Sequence, residues 1–292
     1  MSFYGSQSMV APLKRVVVKR PEDAFRSSEA IAEEWRDLDY LRAPDLQTAI
    51  QHHRAFVSLV KQTGAQVSYL PADARTGLDS LYVHDPVLIT ERGAVIFQTG
   101  KPARRGEGPA FEDALRDWDV PLLGRVDGQG TAEAGDMLWL DRHTLLIGRS
   151  FRTNAVGIES LRGLLSPAGV QVIAFDMPFW NGPKEVLHLQ SFISLLDDDL
   201  AVVYRRLLPV QMFELLTRRG IQLIDVPEAE YDSLGCNILA IAPRHAVMVS
   251  GNPLTRARIE AAGCKVSEFD GSEICLPGSG GPTCLTRPLL RG

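Results

Sequence analysis

The sequence predicts an α/β protein made of five strand–strand–helix–strand units that close into a ring about one shared centre. Three observations predict it. A local pattern recurs at Gly64-Ala-Gln-Val, Gly169-Val-Gln-Val, Gly220-Ile-Gln-Leu and Gly263-Cys-Lys-Val, each time with a helical stretch before the glycine and a short apolar strand after it. Paired apolar runs separated by polar turns recur as hairpin signals. The spacing, about 50 residues per unit, is that of a repeat architecture. Units begin near residues 13, 79, 131, 187 and 234, so residues 1–292 read as a single domain. An ordinary open α/β sheet is the alternative.

The elements follow in order. Leu46, Ala49, Ile50, His53, Val57 and Val60 fall on one face at helical period, with Asp45 placed to cap them. Val87–Ile89 and Ala94–Phe97 flank a turn at Glu91-Arg92-Gly93, and Met137–Leu140 and Thr144–Ile147 flank Asp141-Arg142-His143. Ile158, Leu161, Leu164 and Leu165 form the helix face before Gly169. Phe192–Leu195 and Leu200–Val203 flank Asp197–Asp199, and Phe213, Leu215 and Leu216 then lead to Gly220. Ile238–Ile241 and Ala246–Val249 flank Pro243-Arg244, with Ile259 and Ala262 before Gly263. Glycine suits the position after each helix because the chain there commonly turns through positive φ.

Composition narrows the function. The chain is 45% apolar and 23% charged with a net charge of −5, and no lysine/arginine block points to nucleic acid or an anionic membrane. No apolar run is long enough for a spanning helix, and the opening MSFYGSQSMVAPLKR lacks the apolar stretch of a secretory signal. Four cysteines without CxxC pairing, and scattered histidines, suggest neither a disulfide framework nor a zinc site. A reduced, cytoplasmic protein without metal or organic cofactor is expected. Nothing sets the oligomeric state, and a homodimer stays open.

A ring brings the first strand of every unit to one cavity. The residues beside those strands are Asp79-Ser-Leu-Tyr-Val-His-Asp85, Glu133-Ala-Gly-Asp136, Leu187-His-Leu-Gln-Ser191 and Gly280-Gly-Pro-Thr-Cys284. A thiol, an imidazole and several carboxylates make a nucleophile, a proton shuttle and a cation-binding set. With Arg152-Thr-Asn154 and Gly235-Cys-Asn237, and in this order, these stretches resemble the penteins, the guanidine-modifying superfamily. The branch resembled is the dimethylarginine dimethylaminohydrolases, with arginine deiminases and amidinotransferases as relatives. The resemblance runs from about residue 79 to the end.

The resemblance implies a five-bladed pentein propeller and a cysteine hydrolase acting on a small guanidino substrate. It implies Cys284 as nucleophile, His188 as acid and base, and Glu133 as the group orienting His188. It implies Asp85 on the guanidinium in a forked pair, with Asp79 and Arg152 at the substrate's α-amino and carboxylate ends. Asp136 either braces its turn or touches substrate.

Two departures bear on the substrate. Deiminases carry His-x-Asp where this chain has His188-Leu-Gln190, which favours an N-substituted guanidine, since a dimethylated nitrogen has no N–H for a second carboxylate. The family's carboxylate-binding arginine aligns with Gln98, with Arg104 and Arg105 nearby, and His84 replaces a glutamate. Methylated arginine, yielding citrulline and a methylamine, is the leading substrate. Deiminase, amidinotransferase and non-catalytic binding protein are the rivals. The segment Tyr4–Met9 is a candidate lid.

Overall fold

Fifteen short strands and seven α-helices alternate along the chain in the computed structural model, which describes residues 3–184 and 186–292. The strands form five three-stranded sheets. The first holds β1 (Leu13–Val18), β2 (Gln66–Tyr69) and the last strand, β15 (Arg287–Arg291). The second holds β3 (Val87–Thr90), β4 (Gly93–Phe97) and β5 (Leu122–Val126). The third holds β6 (Met137–Asp141), β7 (Thr144–Arg149) and β8 (Gln171–Asp176). The fourth holds β9 (Ile193–Asp197), β10 (Leu200–Val203) and β11 (Gln222–Asp225). The fifth holds β12 (Leu239–Ala242), β13 (His245–Val249) and β14 (Lys265–Phe269).

Every sheet has the same wiring. The middle strand pairs antiparallel with one neighbour and parallel with the other, and a helical crossover leads to the parallel one. The crossovers are α3 (Leu46–Lys61), α4 (Glu107–Asp117), α5 (Ala155–Leu165), α6 (Val210–Arg218) and α7 (Pro253–Ala261). Two further helices, α1 (Pro21–Ala24) and α2 (Ser28–Glu34), precede α3. The first sheet differs in one respect. Its antiparallel strand is β15, joined to β1 by Leu13↔Arg291 through Val17↔Arg287, so the unit starting near residue 13 has its first strand at the far end of the sequence.

Burial explains the crossover helices. On α3 the buried residues are Ala49, His53, Phe56, Val57 and Val60, and the Asp45 carboxylate accepts the Thr48 amide at 2.8 Å. On α6 Met212 and Leu216 are buried, whereas Phe213 is 40% exposed. Four helices end at Gly64, Gly169, Gly220 and Gly263 with φ of 82°, 69°, 72° and 84°. The equivalent position after α4 is Asp119 at φ 56°, a residue type that tolerates the left-handed region, so the fifth repeat carries no glycine to betray it.

The core lies between sheets. One apolar cluster joins Val17 and Leu289 to Val87 and Ile96, and a second joins Val95 and Phe97 to Trp139 and Ile147. A third runs from Leu138 through Val202 to Met248, and a fourth returns from Val249 and Phe269 to Val16 and Phe56. Each sheet thus shares apolar side chains with the next, and the fifth shares them with the first.

The helix-end glycines yield a paired test. An alanine Cβ at Gly220 meets nothing within 4 Å, so only backbone strain opposes it. Gly220→Ala is expected to cost about 1 kcal/mol. Gly163→Ala, in open space on α5, should stabilise by about 0.5 kcal/mol. Urea unfolding of both variants checks the opposite signs.

Candidate active site

Residues just ahead of the antiparallel strands meet at one cavity. Asp79, Tyr82 and Asp85 precede β3, and Gly135 precedes β6. His188, Gln190 and Ser191 precede β9, Asn237 precedes β12, and Gly278, Gly280 and Cys284 precede β15. Arg104, Lys101, Arg152, Leu38, Asp39, Lys184 and Val186 also line it.

The glycines before Cys284 follow from close approach. A Cβ on Gly278 would stand 2.3 Å from the Tyr82 hydroxyl, one on Gly280 2.4 Å from the Tyr82 ring, and one on Gly281 2.5 Å from Asn237. The backbone therefore lies flat against two side chains, and Cys284 emerges on the turn that follows. Asn237 fixes that turn: its carbonyl accepts the Thr283 amide at 3.2 Å and its Nδ2 donates to Cys284 Sγ at 3.3 Å. Cys284 is half-buried, while Cys236, Cys264 and Cys275 are buried. Burial, and then the charge of Asp85, push the Cys284 thiol up to about 12.

His188 Nε2 lies 2.8 Å from Glu133 Oε2, and its Nδ1 lies 3.9 Å from Asp85 Oδ1. Burial opposes charge on the imidazole, but Asp85, Asp136 and Glu133 prevail and lift it to about 9. At neutral pH the site therefore holds an imidazolium. For Glu133 burial is outweighed by the His188 hydrogen bond and charge, then Arg152, bringing it to about 2. Glu133 Oε1 accepts the Lys101 amide at 3.2 Å and lies 3.6 Å from Arg152 Nη1.

Each residue of Glu133-Ala-Gly-Asp136 has a separate task. Glu133 pairs with His188. The Ala134 carbonyl accepts from Gln190 at 3.2 Å. The Gly135 amide donates to Asp85 Oδ1 at 2.9 Å, and a Cβ there would stand 2.3 Å from His188 Nδ1. Asp136 accepts the Leu189 amide at 3.1 Å and the Ser150 hydroxyl at 2.6 Å, so it braces the turn that presents His188.

A family model described as "N,N dimethylarginine dimethylhydrolase, eukaryotic" matches residues 25–291. The chain belongs to the dimethylarginine dimethylaminohydrolase family. The N(G),N(G)-dimethylarginine dimethylaminohydrolase of Pseudomonas aeruginosa is 30% identical over 247 residues, 85% of this chain and 91% of that one. A solved structure of the Pseudomonas aeruginosa enzyme, a cysteine-to-serine variant complexed with citrulline, matches with TM-score 0.77 and 26% identity, covering 96% of this chain and 100% of that one. A dimethylarginine dimethylaminohydrolase adduct with S-methyl-L-thiocitrulline, a histidine-to-glycine variant, matches with TM-score 0.76 and 26% identity over the same shares.

Within this family member the two carboxylates expected on the substrate meet cations of the chain itself. Asp85 Oδ2 lies 2.5 Å from Arg104 Nη1, so the fork anticipated for a bound guanidinium is partly taken. Burial pushes Asp85 up, yet His188 and Arg104 outweigh it and hold it well below the usual carboxylate range. Arg104 also pairs with Glu107 through Nε at 3.0 Å and Nη2 at 2.8 Å, and donates to the Tyr82 carbonyl at 3.0 Å. Asp79 Oδ2 is 2.7 Å from Lys101 Nζ, which also donates to the Leu38 carbonyl at 2.6 Å. Sequence reasoning missed Lys101, Gly135 and the role of Asn237, and it weighed Arg104 only as a carboxylate binder.

Two expectations need correction. Gln98 lies outside the cavity, because its amide is spent on the carbonyls of Gly128 and Gly130 at 3.0 and 3.2 Å. The described part of the N-terminal segment is not a lid over this cavity. Gly5 pairs beside β15, and Gln7 bonds Arg142 and Glu91, away from the residues that line the site.

Gln190 does face the cavity. Its Nε2, with two N–H groups, lies 3.2 and 2.5 Å from the carbonyl oxygens of Ala134 and Met137 and 3.1 Å from His84 Nε2, so its donors are shared among three acceptors. His84, driven down to about 3 by burial and then Arg287, is neutral; Nδ1–H donates to the Thr286 carbonyl at 2.9 Å, leaving Nε2 to accept. A carboxylate at position 190 would face acceptors only. Asp85, Glu133 and His188 have ligand atoms all within 4.8 Å of one another. A metal there would have to displace the imidazolium proton and the Arg104 contact to Asp85.

Two outcomes are expected. Gly135→Ala should drive the imidazole from its place and lower kcat by about 100-fold, with far-UV circular dichroism unchanged. His188, raised from 6.5 to about 9, adds stability that is complete below pH 6.5 and lost as pH rises through 9. Unfolding free energy should therefore fall on the order of 3 kcal/mol across that window. A His188→Gln variant should lack this part of the slope.

Proposed function

We propose that this chain is a hydrolase that cleaves a C–N bond of Nω-methylated arginine, giving citrulline and methylamine or dimethylamine. The observation that carries the reading is the shared cavity of Cys284, the protonated His188 and the carboxylates Asp85 and Asp79. The family and its citrulline- and thiocitrulline-bound relatives support the chemistry.

A guanidinium carbon is shielded by resonance and needs a strong nucleophile beside a cation-holding group. In this reading the substrate guanidinium donates N–H bonds to Asp85, and its positive charge reverses the effects that raise the Cys284 thiol, which gives up its proton to solvent, where the departing amine later takes one up. The thiolate then attacks the guanidinium carbon. His188 gives its proton to the amine nitrogen as the C–N bond breaks, leaving a thiouronium on Sγ. Neutral His188 next takes a proton from water attacking the same carbon, and collapse of the adduct passes the hydroxyl proton to sulfur, releasing citrulline and the Cys284 thiol. Glu133 keeps the imidazole oriented throughout. Asp79 holds the α-ammonium in place of Lys101, and Arg152 holds the α-carboxylate. Gln190, its donors turned to backbone carbonyls, offers no second carboxylate for an unsubstituted guanidine, which counts against the deiminase reading.

The five like-wired sheets, linked by apolar clusters from the last to the first, support a five-bladed propeller of pseudo-five-fold symmetry acting as one catalytic domain. No described helix is long and apolar enough to cross a membrane. Four free thiols fit a reducing, cytoplasmic setting.

A screen of guanidino compounds with and without an α-carboxylate tests the substrate. Mono- and dimethylarginine should turn over with release of the methylated amine, and arginine should not. Turnover of none of them by folded protein overturns the reading. Cys284→Ser should reduce kcat at least about 1,000-fold without shifting the unfolding midpoint. Cationic chloroacetamidine should alkylate Cys284 faster than neutral iodoacetamide. Equal rates would contradict activation by a bound cation.

A further inference from the structure

A second cavity lies behind the wall formed by His84 and Gln190. It is lined by one strand from each sheet: Leu88 of β3, Trp139 of β6, Ser194 of β9, Ala240 of β12, and Arg287 and Arg291 of β15. Ser6, Ser8 and Met9 of the N-terminal segment also line it. The reaction described above uses none of these groups.

Its charge is one-sided. Arg287 is 4% exposed, and among the described residues neither it nor Arg291 has a carboxylate within ion-pair distance. Their bonds go to carbonyls instead: Arg287 to His84 at 2.5 Å, Arg291 to Ala11 and Ala240 at 2.7 and 2.9 Å. No aspartate or glutamate lines the cavity. Burial pulls Arg287 to about 9 and Arg291 to about 10, which leaves both charged at neutral pH. Arg287 is buried and Arg291 half-buried, and although the more distant charge of Asp85 offsets part of the cost at Arg287, a guanidinium with no carboxylate in contact is costly to bury.

Two buried donors there are also unspent. Arg287 Nε and Trp139 Nε1, the latter on a side chain 3% exposed, have no hydrogen-bond partner. The Ser8 hydroxyl accepts the amides of Val10 and Ala11 at 3.1 and 3.0 Å, so its own proton is free to donate. N–H and O–H donors, positive charge and apolar walls such as Leu88, Met137 and Ile238 together describe a pocket for a small, weakly hydrated anion.

We propose that this central cavity binds a halide-sized monovalent anion, held by Arg287, Arg291 and Trp139, as a structural ion shared by all five sheets. The ion neutralises charge where the five strands meet and leaves the catalytic cavity untouched.

Thermal unfolding of the full chain in sodium bromide and in sodium gluconate at equal ionic strength tests this, because gluconate is too large to enter. Bromide should raise the midpoint saturably, by about 5 °C at a hundredfold excess over its dissociation constant, and gluconate should not. Arg287→Gln should abolish the bromide effect. Trp139→Phe, which keeps the ring's bulk, should weaken it, and serves if the arginine variant does not fold. Anomalous diffraction from crystals grown in bromide should place the ion between Arg287 Nε and Trp139 Nε1. Equal stabilisation by both salts, or bromide absent from that position, overturns the proposal.

Discussion

The site depends on one buried ion pair, Glu133 with His188 at 2.8 Å. Without its neighbours, burial would strip the imidazole of its proton, as burial does at His84, which it drives down to about 3. The two histidines stand near one another and differ only in company. Asp85 favours charge on both, but His188 also has Asp136 and Glu133, whereas His84 has Arg287, a backbone carbonyl and an amide. One is held protonated and the other is a neutral hydrogen-bond relay. Gly135 makes the first arrangement possible by leaving room for the ring and donating to Asp85 at 2.9 Å.

That pair would have no reaction to serve if the fold did not bring the thiol to it. Cys284 lies just ahead of β15, and β15 completes the first sheet beside β1. A segment near the end of the sequence is thereby locked at the centre, where the starts of the antiparallel strands converge. The two cavities divide along those strands. The one that holds Cys284, His188 and Asp85 lies at their beginnings, and the basic one lies along their length.

Much of the fold was legible because it is written in local signals. Polar turns between apolar runs marked four hairpins, and glycines at positive φ marked four helix ends. Asp119 hid the fifth because another residue type meets the same backbone demand. The pairing of β15 with β1 spans the whole chain and leaves no local trace. In the site, Cys284, His188, Glu133, Asp85, Asp79, Arg152 and Gln190 come together around one cavity or bond directly to its lining. Gln98 does not, because alignment gives a position along the strand and not a side chain's choice of carbonyls. Arg104 and Lys101 were misread or missed for the same reason. Long cationic side chains travel to whichever buried carboxylate needs them.

The central claim is that the carboxylates hold His188 protonated in the free enzyme. Nitrogen-detected NMR titration of 15N-histidine-labelled protein tests it most directly, with His188→Gln assigning the resonance among six histidines. The account predicts an imidazole pKa near 9, held there by Asp85, Asp136 and Glu133, that falls in Glu133→Gln. A His188 pKa at or below 6.5, or one indifferent to Glu133, would contradict it.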